Sequence, residues 1–313
     1  MANFLITGVA GFIGSHLANA LLERGEPVRG LDNFSTGTIE NLNGIEGRLD
    51  LRQIDLRDAE AVAEACIGID IILHAGALPS VPRSVEDPRT SHECNLNGTF
   101  NLLEGARAAG VRRVVYSASS SAYGNQPGFP RHEAMTPQPI APYPVQKVAG
   151  ELYMASYFQV YGLETVSLRY FNVFGPRQAP DSPYSGVMAR WAMQMLRGER
   201  PTIHGDGEQG RDFTYVDNVV DANLLAAHAP AAQAAGRVFN IATGKRHTLN
   251  ETYALLAELL AFAGPPLRGP ARAGDVRDSF ADISAAREAL GYSPAVDFRQ
   301  GLRRTADWYR TQA

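Results

Sequence analysis

The sequence has almost no lysine. Of 29 basic residues in 313, only Lys147 and Lys245 are lysines, and the rest are arginines. A lysine motif in such a chain has few chances to arise by accident. Cysteine is as scarce: Cys66 and Cys94 stand alone, without C-x-x-C or Cys/His spacing. That excludes a disulfide framework and a zinc motif. No long hydrophobic run is present. The most apolar later stretch, residues 255–263, is short and interrupted by Glu258, so a membrane span is not expected. The first residues, Met1 to Gly8, lack a charged segment followed by a long apolar one. They read as a strand and not as a secretory signal, and a reducing cytoplasm fits. Positive charge is not in excess. The formal net charge is −4, which argues against a nucleic-acid binder.

What is present is ordinary for a globular chain: 45% apolar and 20% charged residues, with length for one large domain or two lobes. Apolar runs fall at 4–6, 28–31, 51–54, 69–73, 114–116 and 165–168. Helical patterns fall between several of them, at 13–23, 59–66, 99–109 and 145–161. Continuous apolar strands alternating with helices imply a parallel sheet covered on both faces. Gly25, Gly110 and Gly162 follow helical stretches, where a C-cap glycine is wanted. The fold class is α/β, a doubly wound parallel sheet of Rossmann type. After residue 169 proline and glycine become frequent, and helices are expected at 187–196, 216–227, 249–262 and 299–309. Residues 1–169 therefore read as the Rossmann lobe and 170–313 mainly as a smaller α/β lobe. A strand at 238–241 is placed to rejoin the large sheet.

The first strand runs into Gly8-Val9-Ala10-Gly11-Phe12-Ile13-Gly14, and a helix follows. Glycines there permit a tight turn and let the backbone approach a pyrophosphate, which the helix N-terminus attracts. Asp32, at the end of the second strand, is placed to accept hydrogen bonds from an adenosine ribose. A carboxylate there repels a 2′-phosphate, and Asn33 and Phe34 offer no arginine, so NAD is favoured over NADP. Asp55, after the third strand, has two readings: a contact to the adenine amino group, or an N-cap before Ala59.

Tyr143 and Lys147 lie four residues apart, on one face of a helix. A phenol titrates near ~10 in water, and an adjacent ammonium favours its ionised form. Upstream, Ser117-Ala118-Ser119-Ser120-Ser121-Ala122-Tyr123-Gly124 follows an apolar run. Hydroxyls there face the crevice where doubly wound folds bind ligands.

In this order the motifs resemble one family. The glycine loop, Ser119-Ser120-Ser121-x-Tyr123-Gly124 and Tyr143-x-x-x-Lys147 come first. They are followed by Arg169-Tyr170-Phe171-Asn172-Val173-Phe174-Gly175-Pro176, and by Gly205-Asp206-Gly207-x-x-x-Arg211-Asp212-Phe213. The set resembles the UDP-sugar 4-epimerases of the extended short-chain dehydrogenase/reductase group. It is most similar to the branch acting on UDP-N-acetylhexosamines or UDP-hexuronates, and the match covers nearly the whole chain.

The resemblance implies an isomerase with a tightly bound, recycled NAD. Tyr143 would take the sugar 4-OH proton. Lys147 would lower the Tyr143 pKa and bind the nicotinamide ribose, and Ser119 would hydrogen-bond the same sugar oxygen. Hydride would leave C4, giving a 4-keto sugar, and return to the other face. Cofactor contacts implied by the resemblance are Asn33, Ser35, Thr36 and Gly37 after the second strand and Leu56 beside Asp55. Leu73, Ala75 and Ala77 follow after the fourth strand, and Asn95, Ser117 and Tyr170 complete the set. Contacts to the UDP-sugar are Asn172, Val187, His204, Arg211 and Arg272, with Asp275 on a ribose hydroxyl. Ser84, Ser120 and Ser121 are placed to meet an acetamido or carboxylate group. Ser279 stands where relatives restricted to UDP-glucose and UDP-galactose carry tyrosine, which implies room beside sugar C2. The family also forms homodimers, for which helices 99–109 and 145–161 are the candidates.

One departure is local. Pro144 follows Tyr143, and a proline pushes the residue before it away from α geometry. A sugar-nucleotide 4,6-dehydratase would carry an Asp-Glu pair where this chain has Ser120 and Ser121. A UDP-glucuronate decarboxylase, commonly with glutamate at the Ser121 position, stays open. A non-catalytic NAD-binding protein would leave Ser119, Tyr143 and Lys147 without purpose.

Overall fold

A computed structural model describes residues 1–180, 186–271 and 277–312. Strands and helices alternate from the start: β1 (Phe4–Thr7), α1 (Phe12–Glu23), β2 (Val28–Asp32), β3 (Leu49–Gln53), α2 (Ala59–Cys66) and β4 (Ile71–His74). Next come α3 (Val81–Glu86), α4 (Pro88–His92), α5 (Gly98–Ala109), β5 (Arg113–Ser119), α6 (Pro142–Tyr161) and β6 (Glu164–Tyr170). The remainder is shorter-stranded: β7 (Val173–Phe174), α7 (Val187–Leu196), β8 (Thr202–His204), β9 (Gly210–Arg211), β10 (Thr214–Tyr215), α8 (Val216–His228), α9 (Ala231–Ala234) and β11 (Arg237–Ile241). It closes with β12 (His247–Thr248), α10 (Leu249–Leu260), β13 (Leu267–Gly269), β14 (Asp278–Ser279), α11 (Ser284–Leu290) and α12 (Phe298–Arg310).

Seven strands form one parallel sheet in the order β11-β6-β5-β4-β1-β2-β3. The winding reverses between β1 and β4. In a doubly wound sheet that reversal opens a crevice beyond the strand C-termini. Side chains alternate across the sheet although both faces are covered. Leu5, Ile72, Val114 and Tyr116 pack with α2, α5 and α6. Phe4, Ile6, Ile71, Leu73 and Val115 pack on the opposite face, where α1, α8 and α11 contribute. Each such fully buried aliphatic residue contributes roughly 1.5–3 kcal/mol. α5 and α6 stop at Gly110 and Gly162, both with φ of 71°.

After Tyr170 the chain divides between two bodies. α8, β11 and α11 return to the large sheet, with β11 pairing along β6 from Arg237↔Val166 to Ile241↔Tyr170. α7, α10 and α12 form a smaller body around Trp191, Phe213, Tyr253, Phe298 and Leu302. The helices α3 and α4 lie in a stretch for which the sequence pattern set out no helix, and they carry Pro82 and Pro88. Both prolines fall in first turns, where a missing N–H is harmless. The Ser80 and Asp87 side chains cap those turns, accepting from Arg83 N and Thr90 N. Among the described residues no helix is long and apolar enough to cross a membrane.

Candidate active site

A cleft of about 1230 Å3 opens at the β1–β4 reversal. Its walls bring together most of the cofactor set: Gly8, Gly11, Phe12, Ile13 and Gly14 from the first loop, and Asp32, Asn33, Ser35 and Thr36 after β2. Asp55, Leu56, Ala75 and Ala77 continue it, and Ser117, Ser119, Tyr143, Lys147 and Tyr170 close it.

The first loop has the shape a dinucleotide needs. A Cβ on Gly8 would lie 2.7 Å from the Gly76 Cα, and one on Gly14 would lie 2.0 Å from the Gly8 oxygen. Only glycine allows these backbones to close up. α1 has no capping side chain and no acidic residue in its first turn. Ser15 N, bonded to Gly11 O at 3.0 Å, begins the helix's own ladder. The amides of Phe12, Ile13 and Gly14 precede that ladder and stand ready for an anion. Asp32 accepts from Ala10 N at 2.9 Å and Phe34 N at 2.8 Å, and a carboxylate so held still has lone pairs for a ribose. Asp55 is not the cap of α2; Asp58 is, accepting from Ala61 N. The Arg57 guanidinium, 2.8 Å from Asp55, holds its carboxyl far below the usual range, and Asn33 donates to it as well.

Three residues of the cofactor set lie behind the wall. Gly37 presses on the Ala10 backbone, where a Cβ would meet the Ala10 carbonyl carbon at 2.7 Å. Leu73 is fully buried in β4. Asn95 is buried and accepts from Leu78 N at 2.7 Å, which ties down the loop after β4.

The start of α6 sets Tyr143. Ala141 is extended, and the helix begins at Pro142. Tyr143 is therefore helical, contrary to the expectation from Pro144. Pro142 and Pro144 both lie in the first turn, where two donors that would need partners are simply missing. Tyr143 N donates to Ser84 Oγ at 3.0 Å, and Val145 N bonds Ala141 O. Ser84, on α3, thus caps α6 from outside. It is wholly buried, and its own proton goes to Val81 O at 2.7 Å. It does not face the cleft as the sequence suggested.

Lys147 lies one turn on. Its Nζ donates to Ser117 O at 2.7 Å and sits 4.7 Å from the Tyr116 ring centre and 6.0 Å from that of Tyr143. Burial lowers Lys147 to about 8, partly offset by the Glu151 carboxylate. Burial pushes Tyr143 up to about 12, while a hydrogen bond with Ser119 pulls the other way. The Ser119 bond does not bring Tyr143 into the neutral range, because desolvation outweighs it. Ser119 caps the turn of residues 120–123, accepting from Ser121 N, and pairs with Ser121 Oγ at 2.8 Å. Ser120 and Ser121 do not line the cleft. Tyr170 shares a hydrogen bond of 3.1 Å with Ser117.

A smaller cavity of about 250 Å3 adjoins, walled by Asn172, Val187, His204 and Arg211. Val173, Gln178 and Gly186 line both spaces. Asn172 is held by its bond to Asp212 O at 3.1 Å. Asp212 is buried, and its carboxylate gathers Thr243 N, Thr243 Oγ1 and Gly244 N. His204 donates from Nδ1 to Pro270 O. Ser279 is half-buried and pairs with Arg211 across β14 and β9, outside both cavity walls. Arg272 and Asp275 lie outside the described residues.

Sequence reasoning missed Gly76, Arg83, Arg177, Gln178 and Trp308, all of which line the large cleft. Gly76 carried a signal as the partner of Gly8. Arginines in this chain carry none.

Residues 4–242 match the NAD dependent epimerase/dehydratase family. The chain is 39% identical to a UDP-glucose 4-epimerase of Mycolicibacterium smegmatis, with 99% of each covered. A solved UDP-glucose 4-epimerase of Thermotoga maritima with UDP-glucose superposes with a TM-score of 0.94, at 39% identity and 99% coverage of both. The UDP-N-acetylglucosamine 4-epimerase of Methanobrevibacter ruminantium in complex with UDP-N-acetylmuramic acid gives 0.94 at 37% identity, covering 100% of this chain and 99% of that one. The chain belongs to the NAD dependent epimerase/dehydratase family and is similar along its length to UDP-sugar 4-epimerases.

Proposed function

We propose that the protein interconverts C4 epimers of a UDP-sugar, with UDP-GlcNAc/UDP-GalNAc among the accepted pairs because Ser279, too small to reach either cavity wall, stands where a tyrosine would restrict the sugar. The observation that carries the reading is the convergence of Ser119, Tyr143 and Lys147 on one wall of the cleft. Bound NAD would supply a hydride acceptor that returns what it takes, and a positive ring in its oxidised form. That charge, added to Lys147, is what Tyr143 needs to shed its proton. Tyr143 Oη then accepts the 4-OH proton as C4 becomes a ketone. Ser119 Oγ holds the same oxygen, and Lys147 holds Tyr143 and the ribose. On the return, Tyr143 gives the proton back to O4, so the net change is stereochemical.

Among the described residues the carboxylates on the walls of the large cleft are Asp32, Glu40 and Asp55, all at its β2–β3 end. Beside Ser119 stands the Ser121 hydroxyl instead. No described side chain there supplies the acid–base pair of a dehydratase, and this favours epimerisation. We also propose that Asn172, Val187, His204, Arg211, Arg272 and Asp275 hold the UDP portion. A homodimer is proposed through α5 and α6, on which Phe100, Leu152, Tyr153, Val160 and Tyr161 are exposed.

The test is incubation with UDP-glucose, UDP-GlcNAc and UDP-glucuronate separately, with no added NAD, followed by proton NMR. The 4-epimer is expected, with UDP-GlcNAc among the substrates converted. A pentose or a 4-keto-6-deoxy product would overturn the reaction class.

A further inference from the structure

Arg177 follows the motif that ends at Pro176, and no role described so far uses its charge. Its φ of 66° is in the left-handed region, which residues other than glycine adopt rarely. Its side chain lines the large cleft. Its Nη1 is buried and has no hydrogen-bond partner among the described residues. Burial draws the guanidinium below its ordinary value, and no carboxylate among the described residues offsets that. A buried guanidinium N–H left unmet is costly. Held in a cleft wall, it calls for an anionic acceptor, and its planar fork suits a phosphate group.

The anchoring of Arg177 indicates which phosphate. His16, on α1, donates from Nε2 to Pro176 O at 3.0 Å. A carbonyl only accepts, so Nε2 carries the proton. Burial lowers His16 to about 4, so the ring is neutral at neutral pH. His16 lies four residues, about 6 Å along the axis, beyond Phe12. The segment bearing Arg177 is therefore fastened to the helix whose N-terminal amides face the cleft. The other cations on the described cleft walls are Arg83, from α3, and Lys147, which is engaged with Ser117 O at the catalytic end.

We propose that Arg177 is a second clamp on the pyrophosphate of the bound dinucleotide, across from the α1 amides, and that His16 is its positioning residue. The proposal rests on the NAD reading and not on the identity of the sugar. Arg177 lies beside Gln178, which walls both cavities. The clamp thus reaches the cofactor from the segment that also borders the smaller cavity, and helps to keep NAD bound between turnovers.

The experiment compares the purified parent protein with Arg177→Gln, Arg177→Lys, His16→Leu and His16→Gln. Each is desalted, and the nucleotide it retains is released and quantified. The NAD dissociation constant is then measured by calorimetry in the absence of sugar nucleotide. Arg177→Gln is expected to weaken NAD binding roughly ten- to a hundredfold, the size of one charge-assisted contact. Arg177→Lys should fall between, and His16→Gln, which keeps a donor, should rescue what His16→Leu loses. NAD affinity equal to the parent's in Arg177→Gln overturns the proposal, and so does a raised KM for the sugar nucleotide with NAD retention unchanged. A parent that binds no NAD overturns the cofactor reading as well. Melting temperatures separate a folding defect from a binding one, and His16→Gln against His16→Leu decides the matter if Arg177→Gln is unstable.

Discussion

The backbone N–H of Tyr143 donates to the Oγ of Ser84 at 3.0 Å, across 59 residues of sequence. This bond replaces the capping side chain that Ala141 lacks, and it fixes the residue next to the chemistry. Ser84→Ala leaves a partly buried N–H unmet, at a cost of about 1–3 kcal/mol. Denaturant unfolding should show that loss. Turnover should fall further than the small stability change explains, because Tyr143 loses its anchor. Unaltered turnover with full stability loss would make Ser84 merely structural.

Tyr143→Phe removes the proton acceptor and leaves the ring. Turnover should drop by roughly 10²–10⁴, while the protein still copurifies with NAD. Single-turnover assays on the purified variant check this. Near-parent rates would move the base elsewhere.

Lys147 sets an alkaline limit. Burial lowers it to about 8, so its ammonium is present below that pH and lost above it. The rate should decline as pH rises through about 8. Lys147→Arg keeps its charge at every accessible pH, so its limb should move to higher pH even if its rate is lower. An unmoved limb would assign that titration to another group.

Ser279→Tyr should selectively depress UDP-GlcNAc turnover while UDP-glucose turnover persists. Parallel kcat/KM measurements on both substrates check it. Equal losses would count against Ser279 as the gate.

Leu152 and Val160 are exposed apolar residues on α6. Changing Leu152 to glutamate should shift the protein toward monomer in sedimentation velocity. A parent already monomeric at micromolar concentration would refute the homodimer.

The strands of the large sheet were legible because each is an apolar run bounded by a glycine or a helix pattern. The glycine loop was legible because its spacing is dictated by close backbone contact, seen at Gly8 and Gly14. Tyr143 and Lys147 were legible because lysine is rare here. Ser84 was not: its hydroxyl serves a helix 59 residues away, and no local pattern marks such a bond. Pro144 misled, because the rule for the residue before proline gave way to a helix that starts one residue earlier. Arg177 was hidden among many arginines, and what distinguishes it is a buried N–H unmet among the described residues together with a left-handed backbone and a place in the cleft wall.

The most direct test follows the C4 hydrogen itself. The protein is given UDP-GlcNAc deuterated at C4, with no added NAD, and both epimers are analysed by NMR and mass spectrometry. Hydride return to the carbon it left predicts that deuterium stays at C4 in substrate and product, with no NADH accumulating. Loss of deuterium to solvent, or stoichiometric NADH, would contradict it.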